Sequence, residues 1–295
     1  MNGNLLKTDS KKISIISVTD RINETIKETY DTYDPRSERV IGEARQAVED
    51  RKLLIYTEGP LGIGKSTLAR RLAKSLGSLP YSLENPEAPE VKRYLEMLYH
   101  PEIDVKKIGA LGVNTAYYSQ RMAHEETARL AARSYVLDRR RRFDKIYMDE
   151  FVKVDLMKAE DRDRIIAMGD DEMKLLHQRG SFTGLKEVVI QMVGSPELVH
   201  RRKNNRGRDV EKETKEGGGV DIGYMTQICN GYLQSPKVLE EEGFEGLVIE
   251  VGQELNDRKE FSPRDESHLL PILEVLIAYA KSKGPILESI DFKRT

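Results

Sequence analysis

The chain has 295 residues, with 48 Lys and Arg against 50 Asp and Glu, for a formal net charge of −2. That balance argues against a bulk nucleic-acid coat, and the single cysteine, Cys229, excludes an intrachain disulfide or a cysteine-based zinc site. No apolar run approaches the ~20 residues needed to cross a bilayer, and the opening MNGNLLKTDSKK has no apolar core with a small-residue cleavage site. The expectation is a cytoplasmic protein with neither a membrane nor a nucleic-acid polymer as partner.

In chain order, residues 13–18 read as a short strand. Ile22, Ile26 and Tyr30 then recur every four residues, as one face of a helix does. Asp34-Pro35 looks like a helix cap followed by Pro at the first helical position, and Val40, Ala44, Ala47 and Val48 continue as an apolar stripe. Residues 53–56 read as a buried strand ended by a glycine-rich turn. Residues 67–76 read as a helix closed by Gly77. Further strand-like runs lie at 145–148, 188–193 and 247–251, with helical stretches at 115–137 and 157–177. This alternation predicts an α/β fold with a central, mainly parallel sheet of about five strands and helices on both faces. Arg139–Arg142 reads as a solvated helix end in preference to a nucleic-acid patch. Residues 211–221, EKETKEGGGVD, read as a loop. Leu269, Leu270, Ile272, Leu273, Leu276 and Ile277 predict a C-terminal amphipathic helix, with Pro271 in its first turns.

Gly59-Pro60-Leu61-Gly62-Ile63-Gly64-Lys65-Ser66 is G-x-x-x-x-G-K-S, placed after a predicted strand and before a predicted helix. In such a phosphate loop the glycines let backbone N–H groups wrap phosphate oxygens, and the new helix adds its positive end. Gly59, Gly62, Gly64, Lys65, Ser66 and Thr67 are therefore the candidate ATP-binding residues. Lys65 would reach the β- and γ-phosphates, and Ser66 would ligate Mg²⁺. The acceptor stays open at this point: water, a nucleotide, a nucleoside, a protein or another metabolite.

His200-Arg201-Arg202-Lys203-Asn204-Asn205-Arg206-Gly207-Arg208 holds five Lys and Arg and no acid. Behind a strand and a short helix it reads as an arginine-rich lid over about residues 200–218, because fixed guanidinium forks suit the charge of phosphoryl transfer.

With these segments in order, the sequence resembles the deoxyribonucleoside kinases from about Leu53 to Gly252. Besides the phosphate loop, the resemblance rests on Glu84 in Ser82-Leu83-Glu84-Asn85-Pro86, on Tyr94–Glu102, on Arg202-x-x-x-Arg206-Gly207-Arg208 followed by Glu211, and on Gly219-Val220-Asp221-Ile222-Gly223-Tyr224-Met225. It implies ATP as donor, Glu84 as general base, and Arg202, Arg206 and Arg208 on the transferring group. It also implies Tyr99 and Glu211 on the sugar 3′-hydroxyl, and Gln120 reading the base edge, with Asn114 as rival and Arg121 beside it. Tyr99, Tyr117 and Tyr118 are the rings available for stacking, and with no Trp and only six Phe the base pocket is expected to be built on Tyr. A homodimer supported by the terminal helices is a further implication.

One segment departs from the family. Residues 146–151 read as a strand ending in acid, so Asp149 becomes the second candidate Mg²⁺ ligand beside Ser66. The family's Glu-Arg-Ser would then stand as Asp149-Glu150-Phe151, with the arginine's charge reversed and Arg121 or Arg162 as possible substitutes. Asp149-Glu150 also suits an ATPase, so a hydrolase, a nucleoside monophosphate kinase and a non-catalytic nucleotide-binding subunit stay open as alternatives. The expected organisation is a helical extension over 1–51, a kinase core over 52–253 and a helical tail over 254–295. The five His residues have no paired metal spacing.

Overall fold

The computed structural model describes residues 13–28, 36–178, 185–205, 221–254, 260–262 and 264–283. Among them, six strands form one parallel sheet. They are β1 (Ile13–Ser17), β2 (Leu53–Glu58), β3 (Tyr81–Ser82), β4 (Tyr135–Asp138), β5 (Lys186–Val193) and β6 (Gly246–Gly252), in the order β1-β6-β5-β2-β4-β3. The helices are α1 (Thr19–Glu28), α2 (Arg36–Arg51), α3 (Lys65–Ser75), α4 (Pro89–Leu98), α5 (Ile103–Leu130), α6 (Asp144–Lys153), α7 (Ala159–Gln178), α8 (Pro196–Asn205), α9 (Ile222–Leu233), α10 (Ser235–Glu241) and α11 (Glu266–Lys281). Tyr30, Asp34-Pro35 and the 211–220 part of the charged loop lie outside the described residues.

Central strand β2, LLIYTE, is buried at every position, which is what a parallel strand covered on both faces requires. Leu53 and Ile55 join the core beneath α3 and α11, while Leu54 and Tyr56 join the one on the opposite face. A third apolar cluster ties α4 and α5 to α6 and α7 through Val91, Leu95, Val113 and Phe151.

The expected sheet of about five strands gains its sixth from the N-terminal segment. β1 pairs in parallel with β6 from Ile13↔Gly246 to Ser17↔Glu250. Its Ile13 and Ile15 face one core and Ile16 the other. The Gly252 N–H donates to Thr19 Oγ1 at 2.7 Å and ties the start of α1 to the end of β6. The predicted stripe of α2 and the apolar residues of α11 are buried, and the two helices pack on each other within the chain.

The stretch after α5 differs from its sequence reading. The helix expected to reach residue 137 ends at Leu130. The chain turns through Ala132, at φ +49°, and residues 135–138 become β4. The strand expected at 145–148 is part of α6. Short apolar runs of this kind carry no periodicity that separates strand from buried helix. Nor is Arg139–Arg142 a solvated helix end. Arg139, Arg140 and Arg141 are buried, and their partners come from distant elements: Glu187 and Glu242 for Arg140, the latter at 2.9 Å, and Asp170 for Arg141 and Arg142 at 3.3 and 2.5 Å. A buried guanidinium is tolerated only when paired.

Candidate active site

Residues 59–66 join the central strand to α3. Gly59 and Gly62 have φ +143° and +82°; a Cβ at Gly59 would lie 2.5 Å from the Met192 carbonyl oxygen, and one at Gly62 would lie 3.1 Å from the Lys203 nitrogen. Only glycine fits both the backbone and the space. At the foot of α3 no side chain caps the helix and no acid occupies the first turn. By contrast, α9 is capped by Asp221, which accepts from the Tyr224 N–H at 2.7 Å. The first N–H groups of α3 are thus left for an anion. Gly62, Gly64, Lys65, Ser66 and Thr67 line an open cleft. Lys65 Nζ donates to the Pro60 carbonyl at 2.8 Å and closes the loop on itself. Burial, reinforced by Arg139, pushes its ammonium down to about 7, against the pull of Asp138, Glu84 and Glu58.

Ser66 Oγ donates to Asp138 Oδ2 at 2.5 Å. Asp138 ends β4 and is buried. Its second oxygen, Oδ1, has no hydrogen-bond partner, and burial together with nearby Glu84 raises its pKa. A hydroxyl and an under-satisfied carboxylate oxygen fit Mg²⁺, which takes few protein ligands and keeps oxygens of water and phosphate. Among the described residues, no group of three or more His, Cys, Asp or Glu side chains offers a richer metal site.

Asp149, the expected metal ligand, is not at a strand end. It lies on α6, where its carboxylate bonds Lys145 at 2.7 Å and Arg162 at 2.8 Å, and it lines neither the cleft nor the cavity beside it. An acid followed by arginine does stand at a strand end elsewhere: Asp138 ends β4, and Arg139 and Arg140 follow it. Glu150 pairs with Lys153 on the same helix.

Beside the cleft lies a cavity with an aromatic wall of Tyr99, Tyr117, Tyr147, Phe151 and Tyr224. Phe151 and Tyr224 stack at 6.0 Å. The wall is mainly Tyr, as expected, with Phe151 added. Tyr118 is not part of it: its hydroxyl donates to the Ile166 carbonyl at 3.3 Å and accepts from Arg141 at 3.1 Å. Asn114, Tyr117 and Arg121, spaced three and four apart on α5, share the face turned to the cavity. Gln120 falls off that face. Its amide accepts from the Asn85 N–H at 3.2 Å and donates to the Asn85 carbonyl at 3.5 Å, pinning the loop after Glu84. Gln120, expected to read the base, thus does not line the cavity, whereas its rival Asn114 lines it together with Asp144, the Asn114 amide also donating to the Ala110 carbonyl at 2.7 Å.

Glu84, Lys65 and Ser66 line both the cleft and the cavity. The Glu84 carboxylate is held by Arg121, whose Nε donates at 2.8 Å, and lies 3.1 Å from Arg139 Nε. Burial alone would raise its pKa, but Arg121, Arg139 and Lys65 outweigh that and bring it to about 2. Arg121 also pairs with Asp144, whose carboxyl burial raises to about 6 against the arginine. Arg139 is fixed by the hydroxyls of Tyr147 at 2.9 Å and Tyr232 at 3.1 Å. Tyr99 ends α4 within this wall.

Arg202 lies on α8 at the rim of the cleft. Arg206, Arg208 and Glu211 lie outside the described residues. The side chains that sequence reasoning passed over are Asp138, Arg139, Asp144, Tyr147 and Tyr224. The available signal was the four-residue apolar-to-acid run Tyr135-Val136-Leu137-Asp138 directly before the arginines.

A parallel sheet with a glycine loop after its central strand, an uncapped helix behind it and a strand-end carboxylate opposite defines a P-loop nucleotide-binding protein. The family described as deoxynucleoside kinase matches residues 55–265, and the chain belongs to that family. Among solved structures, it is similar to a deoxyadenosine kinase from M. mycoides with bound dCTP, at a TM-score of 0.50 and 20% identity, over 69% of this chain and 92% of that one. A second structure of that enzyme, with the products dCMP and a flexible dCDP bound, matches at a TM-score of 0.50 and 17% identity, over 75% of this chain and 95% of that one. These likenesses are of fold. No curated protein matches the chain.

Proposed function

We propose that the protein transfers the γ-phosphoryl group of ATP to the 5′-hydroxyl of a deoxyribonucleoside. The observation that carries this reading is the position of Glu84, whose carboxylate lines both the phosphate-loop cleft and the aromatic cavity. A group acting on an acceptor hydroxyl must stand at such a junction.

The donor's phosphates lie along Gly62–Thr67, with Lys65 reaching the outer pair. Ser66 and Asp138 would hold Mg²⁺, which when bound neutralises charge on the β- and γ-phosphates. The nucleoside enters the cavity base first and stacks on its tyrosine rings. Asn114, Arg121 and Asp144 supply the donors and acceptors for the base edge, and Tyr99 meets the 3′-hydroxyl. Glu84 orients the 5′-hydroxyl and takes its proton. At about 2 its pKa keeps it ionised yet weakly basic. That suits a loose transition state, in which the hydroxyl holds its proton until bonding to phosphorus is advanced. The hydrolase alternative is less well supported, because Asp149 and Glu150 lie on a helix and line neither the phosphate-loop cleft nor the cavity beside it.

The test is purified protein with ATP, Mg²⁺ and a panel of nucleosides and nucleoside monophosphates. The expected product is a nucleoside 5′-monophosphate. Clear ATP hydrolysis without any such product would sink the reading, and phosphorylation of monophosphates alone would replace it with a monophosphate kinase.

A further inference from the structure

Arg202 stands where the lid spacing implies a contact with the transferring phosphoryl group, yet protein occupies all five of its N–H donors. Nε and Nη2 donate to Glu260 Oε2 at 3.2 and 2.9 Å. Nη2 also donates to the Phe261 carbonyl at 3.1 Å, and Nη1 donates to Gln253 Oε1 at 2.5 Å and to the Ile63 carbonyl at 3.2 Å. A guanidinium has five such hydrogens, so none is left for phosphate in this arrangement. Its anchors are specific. Gln253 is fully buried and turns its oxygen to Arg202, and Glu260 is held on its other oxygen by Arg201.

The Ile63 carbonyl belongs to the peptide that carries the Gly64 N–H. In a planar trans peptide those two groups point in opposite directions. Drawing the carbonyl toward α8 therefore turns the Gly64 N–H away from it. Gly64 has φ +109°, forms the foot of α3 and lines the cleft. The next residue of the lid helix, Lys203, lies directly against Gly62, so α8 and the loop are in contact along this edge.

We infer that Arg202 is a positioning residue: anchored by Glu260 and Gln253, it orients the Ile63–Gly64 peptide of the phosphate loop and so sets donor affinity without touching the transferred group. The inference rests on nucleotide binding at this loop, which the proposed function shares. A lysine does not reproduce this five-bond seat, because its ammonium offers three donors from one point where the guanidinium offers five in a fixed fork.

The experiment uses the full chain and its Arg202→Gln, Arg202→Lys, Glu260→Ala and paired Arg202→Gln/Glu260→Ala variants. Binding is read by displacement of a fluorescent ATP analogue, and transfer by separate kcat and KM values for ATP and nucleoside. Each single variant should weaken ATP about tenfold and leave the nucleoside KM and kcat within about twofold. The paired variant should be no weaker than Arg202→Gln, because both changes release the same peptide. Thermal melts identify a variant that fails to fold; Glu260 is partly exposed, so its alanine variant carries the test if Arg202→Gln unfolds. Unchanged or tighter ATP binding in Glu260→Ala, with a kcat loss of about 10²–10³ in Arg202→Gln, would overturn the inference in favour of direct contact. If the unaltered chain binds ATP but phosphorylates no nucleoside, the proposed function fails while the binding comparison still decides the role of Arg202. If it binds no ATP, both fail.

Discussion

The bond from Ser66 Oγ to Asp138 Oδ2, 2.5 Å long and spanning 72 residues of sequence, ties the start of α3 to the end of the neighbouring strand. It brings together the two oxygens proposed to hold a divalent cation and leaves Asp138 Oδ1 buried beside them without a hydrogen-bond partner.

Asp138→Asn should therefore cut turnover by about 10²-fold or more and raise the Mg²⁺ concentration needed for half-maximal rate. Asp149→Asn should change neither by more than about twofold, since it weakens only the partly exposed pairs with Lys145 on α6 and Arg162 on α7. Mg²⁺ titrations of initial rate compare the two, and the opposite ranking would restore Asp149 to the metal site.

Glu84→Gln keeps the shape of the side chain and removes its proton acceptor. Turnover should fall by about 10²–10⁴ while ATP affinity changes little. Retained turnover would take Glu84 out of the reaction and leave it as the counter-ion of Arg121 and Arg139.

Asn114→Ala removes an amide that faces the cavity, so the nucleoside KM should rise about tenfold and the ranking among bases should change. Gln120→Ala should leave base preference as it is, because its amide holds the Asn85 backbone. Competition assays with paired nucleosides read the difference, and a shift of preference in the Gln120 variant alone would reverse the assignment.

Donor affinity should depend on pH through Lys65. In the free protein its ammonium titrates at about 7, and an anionic triphosphate favours the protonated form. Affinity is then insensitive to this group below pH 7. It declines as pH rises above 7, by up to about tenfold per unit, until the raised pKa of the complex is reached. ATP binding measured between pH 7 and 9 at constant Mg²⁺ checks this; a flat profile would count against it.

The local signals proved reliable where function and helix physics coincide along the chain. The phosphate loop, its preceding strand and its helix were legible because glycine spacing and a following Lys-Ser have a backbone reason. The stripe of α2 and the apolar face of α11 were legible from their repeat. β4 was not. Four buried residues carry no period, and the arginines after it looked solvated because their carboxylates stand 16 to 102 residues away. Asp149 took the metal role for the same reason: an apolar run ending in acid was read as a strand where α6 stands.

The sequence by itself determined that a glycine-rich phosphate loop joins a buried strand to a helix in a mainly parallel α/β chain; Glu84 stood out only through the family resemblance, whereas the loop, strand and helix were legible on their own. These are properties of neighbours along the backbone, decided by steric freedom and hydrogen-bond direction. Only the tertiary structure decided that Asp138 meets Ser66, that Arg139 rather than Glu150 faces the site, that Asn114 and not Gln120 lines the cavity, and that Arg202 is fully occupied by its own protein. Each of these depends on which element packs beside which. That is settled by burying the two faces of one sheet and by the need to pair every guanidinium and carboxylate that goes with them.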